Sequence, residues 1–157
     1  MKVFSLRLLA ALAHHGTSPG GRNTNRLFLR RQIWFATGVA DVPLITLARY
    51  CDRLLRLEQF TDWEGAVNGL QVENRGRVTR LAAAVDASLA TIQLAVAAGA
   101  DLLLVHHGLF WAPTHPWTGV RYDVLRRLLD HNLAVYSAHL PLDAHPKLGT
   151  TRNSAAR

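Results

Sequence analysis

The chain has 157 residues, 49% of them hydrophobic, which excludes a largely disordered protein and suits one domain with its own core. Its formal net charge is +7, yet six of the 18 basic residues and none of the 11 acids lie in residues 1–40, leaving 12 basic against 11 acidic residues in 41–157. A near-neutral body gives no reason to expect a nucleic-acid partner; the single cysteine, Cys51, excludes an internal disulfide; and no apolar run reaches the ~18 residues of a membrane helix.

Residues 1–40 are expected to form a basic, poorly ordered leader, with Gly16, Pro19, Gly20 and Gly21 breaking regular structure between 14 and 26. An Arg-rich, acid-free leader suits organelle targeting, whereas a secretory signal fits less well because Arg7 interrupts the apolar run. The plainest reading is a translated upstream segment, or a misassigned start, ahead of a cytoplasmic protein. Leu27 to Phe35 reads as a short helix or strand.

From Pro43 the pattern sharpens. Leu44, Leu47, Ala48, Leu54, Leu55 and Leu57 recur at mostly helical spacing and predict an amphipathic helix over 43–58. Cys51 packs on or beside its apolar face, with nothing nearby to activate a thiol. Phe60 to Asn68 reads as a loop, 69–72 as a short edge strand, and Asn74 to Gly76 as a turn. Val78 to Val85 predicts a strand ending in Asp86. Ser88 is placed to cap a helix over 89–98, with Gly99 at its C-terminal end. The apolar run 101–105 predicts a buried strand leading into His106 and His107. A helix over 120–131 follows, with Tyr122, Leu125, Leu128 and Leu129 as its stripe and Asn132 at its end. Leu133 to Ala138 is the third main strand.

Strand, helix, strand, helix, strand with short connections predicts an α/β fold, with a mostly parallel sheet and flanking helices. All three strands end in residues able to hold a ligand: Asp86, then His106 and His107, then the segment His139 to His145. Open α/β sheets place their ligand crevice at such ends, so the last two ends read as halves of one metal site. Adjacent histidines on a regular strand point to opposite faces. One ion takes both only if the chain turns, which Gly108 permits; otherwise each histidine serves one ion of a pair. Asp143 supplies an oxygen ligand. Imidazole with carboxylate suits Zn, Fe, Mn or Ni. The blander readings are structural: a hydrogen-bonded histidine at a strand end, an Asp86 that caps the next helix, and Trp111 and Trp117 as core or interface. His115 and His131 read as loop and helix-end residues.

The blocks NGLQVE at 68–73, AVDAS at 84–88, GADLLLVHHGLFW at 99–111 and HLPLDAHPKLG at 139–149 together resemble the dinuclear-metal GTP cyclohydrolase I type 2 family, also called Nif-three-like. The resemblance runs from about Val42 to Gly149. It implies an α/β fold, a two-metal centre in a cleft and a toroidal homohexamer. His106, His107 and Asp143 correspond to metal ligands; His139, His145 and Asp86 are expected behind them, orienting ligands. The family completes its site with a C-terminal His-x-x-x-Glu segment that this sequence lacks. The expectation is therefore the N-terminal part, 41–149, of a C-terminally truncated domain that holds two divalent ions weakly. The tail TTRNSAAR departs from the family pattern. One allowed codon choice reads His-Asn-Ala-Gln-Leu-Gly one frame over, so 150–157 is expected to be an aberrant, frameshifted ending. Three functions follow: a metal-dependent hydrolase of a small molecule, with a purine nucleotide suggested by the family's name; a non-catalytic metal-binding or interaction subunit; or an inactive fragment.

Overall fold

The structure is a computed structural model that describes residues 33–36, 41–111, 113–146 and 148. Two apolar runs without polar alternation, Leu81–Val85 and Leu102–Val105, need cover on both faces. They form the centre of the sheet as β5 (Leu81–Asp86) and β6 (Leu102–His107). The other elements are β1 (Ile33–Ala36), β2 (Val42–Pro43), α1 (Leu44–Leu55), β3 (Gly69–Val72), β4 (Arg77–Val78), α2 (Leu89–Ala97), α3 (Val120–Asp130), β7 (Ala134–Ser137) and the single turn α4 (Leu140–Asp143). The five-stranded order is β1-β5-β6-β7-β3, and β2 pairs separately with β4. β5, β6 and β7 are parallel; both edges, β1 and β3, run antiparallel. The mostly parallel α/β architecture expected from the sequence is thus present.

The two faces of β6 divide its side chains. Leu102 and Leu104 join α1 residues Leu44, Leu47, Cys51 and Leu55, with Tyr136, in one core. Leu103 and Val105 join Ile92 and Ala95 of α2, Val124 and Leu128 of α3, and Ile33 in the other. Ser88 caps α2, its Oγ accepting from Thr91 N at 3.2 Å. Arg56 stops α1 in the left-handed conformation, at φ 53°, and Asn132 does the same after α3 at φ 54°. Among the described residues, no helix is long and apolar enough to cross a membrane.

Three expectations need correcting. The strand expected over 78–85 is broken, because Asp101 accepts hydrogen bonds from Thr79 N, Thr79 Oγ and Arg80 N at 2.8, 2.7 and 3.0 Å. That clasp ties the chain to the start of β6 and separates β4 from β5. The stripe of α3 is also different: Val124 and Leu128 are buried, while Tyr122 and Leu129 are 54% and 61% exposed. The direction from which α2 and the sheet pack sets that rotation, and sequence spacing alone does not. Finally, Ile33–Ala36, inside the expected leader, is an edge strand that overlaps the helix or strand read over 27–35, and its fully buried Ile33 belongs to the second core. The Gly-rich stretch 14–26 and the tail 150–157 lie outside the described residues.

Burial of Cys51 at 1% exposure pushes its thiol up to about 12. The native protein is therefore expected to resist Ellman's reagent at pH 8 and to yield one equivalent of thiol once unfolded in guanidinium. Rapid reaction in the native state contradicts this packing.

Candidate metal centre

β6 stays regular through its two histidines, with Asp86 opposite His107 in the ladder. The rings nevertheless meet, their centroids 4.5 Å apart. No chain turn is needed, because a neighbouring element draws each ring over the end of the sheet. His106 Nδ1 donates to Ala138 O at 3.1 Å on the β7 side. His107 Nδ1 donates to Asp86 Oδ1 at 2.7 Å on the β5 side. Gly108 lies outside the left-handed region that only glycine favours. Its small size matters instead, since a Cβ there would meet the Gln71 carboxamide. Gln71 sits at a bulge in the β3–β7 pairing, accepts from Leu109 N at 2.7 Å and donates to Val67 O at 2.7 Å.

His139 precedes α4 and completes a cluster. One donor atom from each of His106, His107 and His139 lies within 4.8 Å of the others. Ring centroids separate His139 from His106 by 4.9 Å and from His107 by 5.6 Å. His139, expected to orient ligands, stands beside the two histidines in this cluster. Asp143 Oδ2 lies 3.7 Å from His106 Nε2, so its carboxylate borders the cluster at that ring. Asp86 accepts from His107 Nδ1, and Ser88 rather than Asp86 caps α2. His145 accepts from Leu148 N through Nδ1 at 3.1 Å, within a local turn.

Burial pulls the pKa of His106 below the usual imidazole value, against the opposing pull of Asp143. A neutral imidazole is the form that ligates a cation.

Sequence reading missed Asp62 and Asn68, both in the 60–68 loop. Asp62 Oδ1 accepts from His139 Nδ1 at 2.9 Å and Trp63 N at 2.6 Å; Oδ2 accepts from Asn68 Nδ2 at 2.7 Å and Leu140 N at 3.1 Å. Burial works against the Asp62 charge, but these donors outweigh it and hold the carboxyl below its usual range. Asn68 Oδ1 accepts from His139 N at 2.7 Å, closing the clasp.

A mostly apolar groove of about 640 Å³ adjoins the cluster, within the usual size range of small-molecule sites. Trp111 belongs to both. It lines the groove with Phe110 and Trp117, packs edge-on against His139 at 5.0 Å, and donates from Nε1 to Gly108 O at 2.9 Å.

The Duf34/NIF3 (NGG1p interacting factor 3) family profile matches residues 43–157. The chain belongs to this family. It is 43% identical over 113 residues to the GTP cyclohydrolase 1 type 2 homolog of Deinococcus radiodurans, covering 72% of this chain and 42% of that protein. It is 50% identical over 116 residues to the Halobacterium salinarum protein of the same name, covering 73% and 44%. The crystal structure of TTHA1606 from Thermus thermophilus superposes with a TM-score of 0.64 at 40% identity, covering 69% of this chain and 44% of that one. This Duf34/NIF3 chain thus spans less than half the length of these relatives. The matched region contains every member of the cluster together with Asp62, Asn68 and Asp86.

The donor set fits a transition-metal ion. Each ring has its Nδ1 engaged by a carboxylate or carbonyl acceptor, which leaves Nε2 as the atom that would meet a cation, and outer acceptors of this kind are the usual supports of metal-bound histidines.

Proposed function

We propose that this Duf34/NIF3 chain carries the metal-holding part of a metal-dependent hydrolase for a small molecule. The observation that carries the reading is the cluster of three imidazoles, each backed by an acceptor at Nδ1, beside an aromatic-lined groove. A divalent cation at the cluster supplies Lewis acidity toward a carbonyl or phosphoryl oxygen. The chain's own part is to hold and orient. His106, His107, His139 and Asp143 offer the donors, while Trp111 forms a wall shared by the donors and any molecule lying in the groove. Among the described residues no carboxylate side chain lines the groove, but Arg121 and His115 do, which favours an anionic substrate. The relatives' name makes a purine nucleotide the first candidate. The expected pair of ions and the homohexamer belong to the same proposal; exposed Val120, Tyr122 and Leu129 on α3 offer apolar surface for self-association.

The test is turnover by the purified chain on a panel of purine nucleotides and phosphate esters. Loss of hydrolysis on chelation and its return with Zn, Fe, Mn or Ni is the expected result. A metal-loaded protein inactive across the panel contradicts the hydrolase reading.

A further inference from the structure

We propose that the groove beside the histidines binds a flat aromatic ring carrying one anionic group, with Phe110, Trp111 and Trp117 holding the ring and Arg121 the anion. Binding of such a molecule needs no cation; its turnover rests on the metal-dependent reading above. The walls are built before any ligand arrives. Phe110 and Trp117 meet edge to face, their centroids 5.5 Å apart at 67°. They form a corner in which a flat ring lies face-on to one and edge-on to the other, the two arrangements that aromatic rings prefer. Trp111, the third aromatic of the lining, is fixed because its Nε1 donates to Gly108 O at 2.9 Å. Gln71 steadies the same segment by accepting from Leu109 N at 2.7 Å. With its N–H engaged, Trp111 offers a ligand an apolar surface. All three rings remain partly accessible, and walls fixed in advance spare a ligand the cost of ordering them.

Charge narrows the ligand further. Among the described residues that line the groove, Arg121 is the only Lys or Arg, and none is Asp or Glu. A guanidinium matches a carboxylate or a phosphate through two parallel hydrogen bonds. Helix stability does not explain its place. Arg121 is the second residue of α3, where the positive end of the helix dipole opposes a cation. The acid that suits this turn is Asp123, which is exposed and does not line the groove. One fixed positive charge matches one anionic group. A triphosphate would bring further charges into a mostly apolar groove that offers them no partner. A ring with a single carboxylate or phosphate therefore fits, a nucleoside monophosphate included, and a nucleoside triphosphate does not. Trp111 packs on His139 at 5.0 Å and on His107 at 6.0 Å, so a ring lying against Trp111 sits next to the cluster.

Equilibrium dialysis of the full 157-residue chain, with EDTA present throughout, compares naphthyl phosphate with neutral naphthol and with GTP. Naphthyl phosphate is expected to bind tightest. Arg121→Gln should weaken it by about 10–100-fold, the worth of hydrogen bonds to a charged group, and leave naphthol unchanged. Trp117→Ala should weaken both by about 10-fold, the scale of ring stacking. Circular dichroism checks the fold of each variant. Should Trp117→Ala unfold, Arg121→Gln carries the test, since Arg121 is exposed and its replacement relieves the helix start. The proposal is overturned if naphthyl phosphate binds no tighter than naphthol, if folded Arg121→Gln binds it as wild type does, if GTP binds tighter, or if neither naphthyl probe binds. Each of these outcomes leaves the metal-dependent reading standing, because the chelator removes the cation from the assay. A chain that binds naphthyl phosphate under EDTA, yet takes up no cation and hydrolyses nothing when metal is supplied, overturns that reading alone.

Discussion

On the proposed metal-holding reading, Zn²⁺ should stabilise the wild-type chain, and combined replacement of His106 and His107 by alanine is expected to abolish both cation binding and that stabilisation. Losing only an outer partner of a metal-bound histidine costs about 10–100-fold in affinity; losing two direct donors should cost more than about 10³-fold by the same scale. A cation at 1,000 times its dissociation constant stabilises the folded chain by about 4 kcal/mol. For a domain of this size, each kcal/mol moves Tm by roughly 3–5 °C. Saturating Zn²⁺ should therefore raise the wild-type Tm by roughly 12–20 °C and leave the double variant where it was. The metal-free fold should change little. The ring hydrogen bonds to Ala138 O and to a largely exposed Asp86, which the variant lacks, are worth about 1 kcal/mol each. Scanning fluorimetry with and without Zn²⁺ reads both quantities. A double variant that gains as much from Zn²⁺ as wild type would place the cation elsewhere.

The residues that sequence alone makes visible are those whose signal is local. Buried central strands announce themselves as unbroken apolar runs, as β6 does, and Ser88 and Gly99 mark the ends of α2. His106, His107 and Asp143 stand out because they fall at successive strand ends, and their resemblance to family blocks reinforces this. The hidden part is non-local. Asp62 is 77 residues from His139 in sequence, and Asn68 is 71. Nothing about an Asp-Trp-Glu-Gly loop says which strand end it will meet. Gly108 shows a subtler miss: a glycine beside two histidines reads as a hinge, whereas its smallness makes room for Gln71, which a bulge in another strand delivers. His145 has the right residue type and spacing for the site, yet its ring is used by a local turn. The sequence places it near the chemistry and leaves its orientation open.

The same limit governs α3, where two adjacent leucines give the sharpest stability test. Sequence spacing places both Leu128 and Leu129 on one stripe, but a rotation of the helix about its axis separates them. Leu128 is fully buried against the second core, with Ile92, Leu103, Leu133 and Val135 in the same cluster; Leu129 is 61% exposed. Leu128→Ala removes buried methyl groups and leaves a cavity between α3 and the sheet, at a cost of about 2–5 kcal/mol. That is a large share of the ~5–15 kcal/mol that holds a typical domain together. Leu129→Ala removes surface already in water and should stay within about ±0.5 kcal/mol; alanine's better helix propensity offsets part of any loss. Urea denaturation of the two variants under identical conditions measures the difference. Equal destabilisation would return Leu129 to the buried stripe, and a neutral Leu128→Ala would mean that α3 does not pack against this face of the sheet. Because α3 also carries Val124 and Arg121 into the groove beside the cluster, a destabilised Leu128→Ala should lose groove shape before it loses the histidine cluster. Cation binding under native conditions should therefore survive in the fraction that remains folded.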